Sequence, residues 1–270
     1  MSQIDKIHKL EVAGFNDGTP SETISYKFHK GDENKPIFIW CGGLRSDMEG
    51  GKATHLHQWA IETDLSYIRF DYYGHGISSG DFELGHIGRW SEDIISVIDK
   101  IVPQLTSHDT PDIILIGSSM GGWAALLAAK ARKIQVKGML LIAPAPDFTH
   151  ELMWPSLPNH AKEEIKTNGV YYEPSPYGEP MPLTQILFEE GAKHLILNNT
   201  IKLDIPIRIL QGMEDIPVPW QHALKVTEAI ESEDIELTFV KSGDHSLSRD
   251  EDLARLVKTA KELLNAVMHS

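Results

Sequence analysis

Short apolar runs alternate with helical stretches along most of the chain, and this alternation constrains the fold more than any other feature. Continuous apolar strands between helices imply a parallel sheet that is covered on both faces. The apolar runs are Pro36–Trp40, Tyr67–Phe70, Ile113–Ile116, Met139–Ala143, Ile207–Leu210 and Ile235–Val240. Apolar residues recur at helical spacing in Lys52–Glu62, Ile87–Ile101, Gly121–Ala131, Gln221–Ile230 and Glu251–Val267. We therefore predict a doubly wound, mostly parallel α/β sheet.

Two segments at the start of the chain have a different pattern. Ile7–Val12 and Ile24–Phe28 alternate apolar and polar residues, which is typical of half-buried antiparallel strands. We expect them to form an opening hairpin at one edge of the sheet.

The segment from Pro144 to Pro182 interrupts the alternation of apolar runs and helical stretches, and it contains eight of the 15 prolines. No strand is expected to run through it. Its bulky apolar side chains, such as Trp154 and Tyr171, favour a compact lid over a linker, and an irregular surface loop is the alternative. We predict a single domain over residues 1–270 with a lid inserted at about 146–200.

Charge and cysteine content narrow the class of protein. The chain has 25 Lys plus Arg against 39 Asp plus Glu, a net charge of −14, which opposes nucleic-acid binding. Cys41 is the single cysteine, so an intrachain disulfide is impossible. We see no targeting leader and no apolar stretch of the ~18 residues that a membrane span needs. We expect a cytoplasmic protein without stable membrane insertion, and its oligomeric state stays open.

A Gly-x-Ser-x-Gly pentapeptide, Gly117-Ser118-Ser119-Met120-Gly121, lies directly between an apolar run and a helical stretch. Such a strand–turn–helix places the central serine at a strained turn, where small flanking residues let the helix pack on the strand. Ser119 is therefore the candidate nucleophile. Its hydroxyl needs a base to take its proton, and the base needs a carboxylate to orient it.

His245 is the candidate base, because it lies in a turn between the last apolar run and the last helical stretch. Asp215 follows the preceding apolar run and is the candidate carboxylate, in the chain order serine, acid, histidine. Glu214 is its rival. Asp244 is less suitable, because adjacent residues rarely present side chains to each other in hydrogen-bonding geometry.

A tetrahedral intermediate requires two backbone N–H donors aimed at its oxyanion. Met120, which follows the serine, is one candidate. The second is expected in the loop after Pro36–Trp40, where Gly42-Gly43 lets the backbone approach a substrate. We assign Gly43, with Leu44 as the alternative, and an ordinary Gly-Gly turn is the competing interpretation.

Together these motifs resemble the α/β-hydrolases, across most of the chain. Residues 117–123 (GSSMGGW) and 218–220 (VPW) resemble in particular the mitochondrial depalmitoylating hydrolases that also cleave acyl glucuronides. The resemblance implies an α/β-hydrolase fold, a Ser119–Asp215–His245 triad and hydrolysis of acyl esters or thioesters without a cofactor. We expect this chain to differ from that family in lacking a mitochondrial leader, and its oxyanion loop has its own Gly43 and Arg45.

The substrate is expected to be a small molecule or an acylated partner. Apolar residues of the insertion should form an acyl pocket: Met153, Trp154, Leu157, Tyr171, Tyr172 and Leu187. Leu44 and Arg45 are further candidates for substrate contact. Arg45 would pair with a carboxylate of the leaving group, or else with Asp47 or Glu49 at the surface.

The sequence also bears on three alternatives: a metal site, another reaction with the same triad, and a non-catalytic receptor. His55, His57 and Cys41 do not predict a metal site, because suitably spaced third and fourth ligands are missing. A C–C bond hydrolase or a lactonase would use the same triad on a different electrophile. A non-catalytic receptor on this fold usually loses a triad member, and this chain retains all three.

Overall fold

An eight-stranded sheet forms the centre of the computed structural model, which describes residues 6–12, 21–174 and 179–269. Its strands are β1 (His8–Val12), β2 (Glu22–His29), β3 (Ile37–Cys41), β4 (Tyr67–Phe70), β5 (Ile113–Ser118), β6 (Val136–Ile142), β9 (Ile207–Gly212) and β10 (Ile235–Val240). Their order across the sheet is β1-β2-β4-β3-β5-β6-β9-β10. All neighbours from β4 to β10 are parallel, and β1 and β2 pair antiparallel, as do β2 and β4. The predicted doubly wound sheet and its opening hairpin are confirmed.

Five helices lie at the five predicted places; the first four connect parallel strands, and the fifth follows the last strand, β10. They are α1 (Gly51–Glu62), α2 (Ile87–Lys100), α3 (Met120–Ala131), α7 (Trp220–Ala229) and α8 (Asp250–Met268). Short 3₁₀ turns lie at Phe82–Leu84 and Val102–Gln104. None of the helices in the described part of the chain is long and apolar enough to cross a membrane.

Each face of the sheet carries its own apolar core, because successive side chains of a strand point to opposite faces. On β3, Ile37, Ile39 and Cys41 join the core beneath α2, α3 and α7. Phe38 and Trp40 join the core beneath α1 and α8. All five residues are buried. The run is therefore apolar throughout because both faces of the strand are covered, as the sequence suggested.

The chain between β6 and β9 contains the segment for which we predict an insertion. It contains a π-helical turn (Thr149–Met153), α4 (Trp154–Ser156), α5 (Asn159–Asn168), β7 (Val170–Glu173), β8 (Met181–Thr184) and α6 (Gln185–Lys193). Residues 175–178 lie outside the described part of the chain. Buried Asp147 ties the two ends of the insertion together, since its carboxylate accepts the backbone N–H groups of Ile196 and Leu197 at 2.8 to 3.0 Å. That the insertion acts as a lid stays a prediction.

The expectation that no strand crosses this proline-rich segment is wrong. β7 and β8 pair antiparallel as a separate two-stranded sheet, in which Pro182 lies opposite Tyr172. Proline is excluded from central strands because it has no N–H to donate. In a two-stranded sheet both strands are edges, so Pro182 is tolerated.

Candidate active site

Ser119 lies at the turn between β5 and α3, in the conformation that the pentapeptide predicts. Its φ of 54° and ψ of −121° are unusual for a residue with a side chain, and such strain is characteristic of functional turns. The turn is held by the backbone, because Ser119 N–H donates to Ile142 O at 2.9 Å and Ser119 O accepts the N–H of Gly122 at 2.9 Å. The hydroxyl is therefore presented by a rigid support.

The glycines on either side of Ser119 are required by close backbone packing. A Cβ on Gly117 would lie 2.7 Å from the carbonyl oxygen of Gly121, and a Cβ on Gly121 would lie 2.1 Å from the carbonyl oxygen of Cys41. Real Cβ atoms do not approach backbone this closely. The end of β3, the end of β5 and the start of α3 can meet around Ser119 only when both positions lack a side chain.

Gly121→Ala is therefore expected to lower the free energy of unfolding by more than ~3 kcal/mol, since backbone at three elements would have to move. Gly51→Ala is the matched control, because a Cβ there meets nothing within 4 Å and alanine is favoured in a helix. Thermal or urea unfolding of both variants measures the difference. Equal stability of the two would contradict the packing argument.

Ser119, His245 and Asp215 form one hydrogen-bonded line. Nε2 of His245 lies 3.0 Å from Oγ of Ser119, and Nδ1 lies 2.8 Å from Oδ2 of Asp215. The three residues follow β5, β10 and β9, whose carboxyl ends share one edge of the sheet. In this geometry Nε2 can take the hydroxyl proton while the carboxylate holds Nδ1–H.

The Asp215 carboxylate is buried and fully engaged. Its Oδ1 accepts the N–H of Val218 at 2.8 Å, and its Oδ2 also accepts from Nε2 of Gln211 at 3.1 Å. The two rival acids are placed elsewhere. Glu214 is exposed, and Oδ1 of Asp244 accepts the N–H of Leu247 at 2.9 Å. Among the three acids, His245 therefore contacts Asp215.

Gly43 lies directly against the serine. A Cβ on Gly43 would be 3.4 Å from Cβ of Ser119. The loop after β3 and the start of α3 therefore both lie next to the nucleophile. Within the described part of the chain, no hydrogen bond occupies the backbone N–H of Gly43, Leu44 or Met120. These positions suit an oxyanion site, and the individual donor roles stay predictions.

The loop that carries Gly43 is anchored five residues later, at Met48. Its N–H donates to Oδ1 of Asp71 at 2.6 Å, and its carbonyl accepts from the Arg69 guanidinium at 2.6 Å. Arg69 also bonds Oε2 of Glu49 and Nδ1 of His57, each at 2.8 Å. Both Arg69 and Asp71 are buried. The end of β4 thereby fixes the loop next to the nucleophile.

A cavity of about 960 Å³ opens beside Ser119 and His245, and we call it the Ser119 cavity. Of the residues predicted to contact substrate, Leu44, Met153 and Leu157 line it. Its apolar wall also includes residues that the sequence reasoning missed: Phe148, Leu152, Leu183 and Val218. The wide turn at Thr149–Met153 supplies part of this wall, and such π-helical turns are frequent at functional sites.

Trp154 and Tyr171 do not line the Ser119 cavity, which corrects their assignment as substrate-binding residues. The Trp154 ring packs on Phe188, with ring centroids 5.0 Å apart, and the Tyr171 ring packs on His160 at 5.8 Å. Helical residues turn by about 100° per position, so Trp154 points away although its neighbour Met153 faces the cavity. Apolar character alone did not distinguish the two directions.

Tyr172 and Leu187, also predicted for the pocket wall, lie outside the Ser119 cavity as well. The hydroxyl of Tyr172 donates to Glu83 at 2.8 Å. Leu187 is buried in the apolar core that also contains residues of α2 and α3.

Arg45 lies in a second, polar cavity and not in the Ser119 cavity. Its guanidinium donates to the carbonyl oxygens of Glu179 and Pro180 at 3.2 and 3.3 Å. Neither predicted partner is used: within the described part of the chain, Asp47 and Glu49 make no ion pair with Arg45. Glu49 pairs with Lys27 and Arg69 instead. Arg45 thus fastens the β7–β8 hairpin to the loop after β3.

Cys41 has no nucleophilic role in this geometry. It is buried at the end of β3, and burial raises the pKa of its thiol well above the usual range. In the described part of the chain, no group of three or more His, Cys, Asp or Glu side chains is arranged to hold a metal ion.

Residues 33–170 match the family described as serine aminopeptidase, S33. The fold, the strained turn at Ser119 and this match agree. The chain belongs to this family of α/β-hydrolases and is an enzyme of the serine-hydrolase type.

Named relatives are similar over most of the chain. The mitochondrial palmitoyl-protein thioesterase ABHD10 of Homo sapiens is 34% identical over 90% of this chain and 76% of its own length. The Bos taurus protein of that name is 33% identical over 96% of this chain and 81% of its own length.

Solved structures are similar in the same way. A putative hydrolase from Agrobacterium vitis S4 superposes with a TM-score of 0.88 and 39% identity, over 96% of this chain and 98% of its own. Mouse α/β hydrolase domain-containing protein 10 superposes with a TM-score of 0.82 and 30% identity, over 96% of this chain and 98% of its own.

Proposed function

We propose that this enzyme hydrolyses esters or thioesters of acyl substrates through an acyl-enzyme on Ser119. The observation that carries the proposal is the 3.0 Å contact from Nε2 of His245 to Oγ of Ser119, at the edge of a large, partly apolar cavity. The similarity to proteins named palmitoyl-protein thioesterase supports an acyl substrate.

The chemistry takes two steps. Oγ of Ser119 attacks the carbonyl carbon, its proton passes to Nε2 of His245, and the N–H groups of Gly43 and Met120 bind the oxyanion. The tetrahedral intermediate expels the alkoxide or thiolate, which takes the proton from His245. Water then attacks the acyl-serine and gives a proton to Nε2 of His245. The bond from the acyl carbon to Oγ of Ser119 breaks, Oγ takes the proton back from His245, and the carboxylic acid leaves.

The apolar wall of the Ser119 cavity predicts a dependence on acyl length. Each buried methylene contributes ~0.8 kcal/mol, so kcat/KM should rise up to severalfold per carbon until the wall is covered, then level off or fall. Thioesters and esters of one leaving group with graded acyl chains measure this profile. A flat profile would contradict an acyl pocket.

Two neighbouring residues provide a matched pair for that measurement. Met153→Trp adds volume inside the Ser119 cavity and is expected to shift the optimum to a shorter chain. Trp154→Phe changes a ring outside it and should leave the optimum where it is. If Trp154→Phe shifts the optimum and Met153→Trp does not, Trp154 contacts the acyl chain, as predicted from the sequence.

The cellular location is a separate matter. The relatives' names place those proteins in mitochondria. For this chain the cytoplasm remains our proposal, and imaging of the tagged full-length chain tests it.

A further inference from the structure

Lys52, at the start of α1, is the only lysine or arginine among the described residues that line the Ser119 cavity. Its ammonium donates a short hydrogen bond to the carbonyl oxygen of Ser246, the residue after His245. An ammonium carries three N–H donors. One of them is used for the loop of the base, and within the described residues the other two have no hydrogen-bond or ion-pair partner.

The acids nearest to Lys52 are already engaged. Asp252 pairs with Arg249 at 2.7 Å and with Arg255 at 2.8 Å. Asp244 accepts the N–H of Leu247. Within the described part of the chain, no carboxylate lies within ion-pair distance of the Lys52 ammonium, and burial lowers the pKa of Lys52 while Asp244 and Asp252 oppose that shift. A partly desolvated cation without a carboxylate partner favours an anionic ligand.

Acidic residues also line the Ser119 cavity, but they do not neutralise Lys52. Glu151 pairs with Lys225 at 2.6 Å. Asp47 accepts the N–H of Glu49 at 2.8 Å, and both Asp47 and Glu173 are exposed to solvent, where water screens their charge.

The lining of the cavity contains both apolar and polar residues. Phe148, Leu152 and Leu183 are apolar, whereas Lys52, Ser246 and Ser248 form a connected polar cluster, because the carbonyl oxygen of Ser246 accepts from the Lys52 ammonium and from the Ser248 hydroxyl. An acyl chain would contact the apolar residues. The polar cluster remains for the leaving group, which must still reach the carbonyl at Ser119.

We propose that Lys52 binds an anionic group, a carboxylate or a phosphate, on the leaving group of the substrate. The proposal rests on the proposed ester or thioester hydrolysis and adds the class of leaving group. Lys52 would then be a specificity-determining residue that the sequence motifs do not reveal.

Matched thioesters of one acyl chain test it. N-acetylcysteamine and N-acetylcysteine differ by one carboxylate, and pantetheine and its 4′-phosphate differ by one phosphate. The wild-type enzyme is expected to prefer the anionic member of at least one pair by about tenfold in kcat/KM, the range of a charge-assisted hydrogen bond. The pair that shows the preference identifies the anion.

Lys52→Met keeps the length of the side chain and removes the charge. It is expected to reduce the anionic-to-neutral ratio by about tenfold, whatever it does to both substrates through the Ser246 contact, and Lys52→Arg should keep most of the ratio. Arg45→Met is the matched control, because Arg45 lies outside the Ser119 cavity, and it should leave the ratio unchanged.

Failure of the Lys52 proposal and failure of the proposed function give different results. Absence of an anionic preference in the wild type, an equal loss on all four thioesters in Lys52→Met, or a ratio that Arg45→Met removes instead would overturn the proposal. Failure of the wild-type enzyme to cleave any of the thioesters and the corresponding esters would instead overturn the proposed function.

Discussion

Ser119→Ala is expected to lower kcat by roughly 10⁴-fold or more, with the fold retained. The loss follows from removing the hydroxyl that lies 3.0 Å from Nε2 of His245. His245→Ala should cost a similar factor, because the serine then has no base. The double variant should be hardly worse than either single one, since the two residues act as one unit. Steady-state kinetics on a single acyl thioester measures all three.

Covalent labelling provides the control for this prediction. A fluorophosphonate should modify Ser119, which peptide mass mapping would identify, and circular dichroism should show unchanged folding of the variants. Modification at Ser118, Ser78 or Ser246 instead, or additive losses in the double variant, would remove Ser119 from its assigned role.

Asp215→Asn is expected to lower kcat by roughly 10⁴-fold as well. All three of its partners donate hydrogen bonds: Nδ1 of His245, Nε2 of Gln211 and the N–H of Val218. An amide has one oxygen and one NH₂ group, so either orientation sets a donor against a donor. If the NH₂ group faces His245, the imidazole takes the wrong tautomer and cannot accept the serine proton.

Glu214→Gln is the matched control, one residue away and exposed. It should retain kcat within a few-fold, since surface substitutions rarely disturb a site. The comparison of the two amide variants on the same thioester decides between the acids. A larger loss in Glu214→Gln would give the orienting role to Glu214.

Where strands and helices lie could be predicted from the sequence because burial imposes a period on it. A strand covered on both faces must be apolar throughout, as Ile113–Ile116 is, and a helix packed on one face must repeat near 3.6 residues. The turn that carries Ser119 was predictable for a local reason. Around Ser119 the backbone of three elements approaches so closely that only glycine fits at 117 and 121.

The insertion was less predictable because its apolar residues follow no such period. Proline density excluded a central strand but not the β7–β8 hairpin, whose strands are both edges. Trp154 and Met153 are equally apolar, and only the packing of Trp154 on Phe188 turns it away from the Ser119 cavity.

By itself, the sequence determined the sheet, the order of Ser119, Asp215 and His245, and the glycines that allow the turn, since each depends on local spacing or on a repeating burial pattern. The tertiary structure decided which cation faces the cavity. Arg45 and Lys52 both follow β3, yet Arg45 bonds the carbonyls of Glu179 and Pro180 while Lys52 reaches Ser246. Those partners are more than 130 residues away along the chain, and contacts over such separations leave no periodic trace in a single sequence.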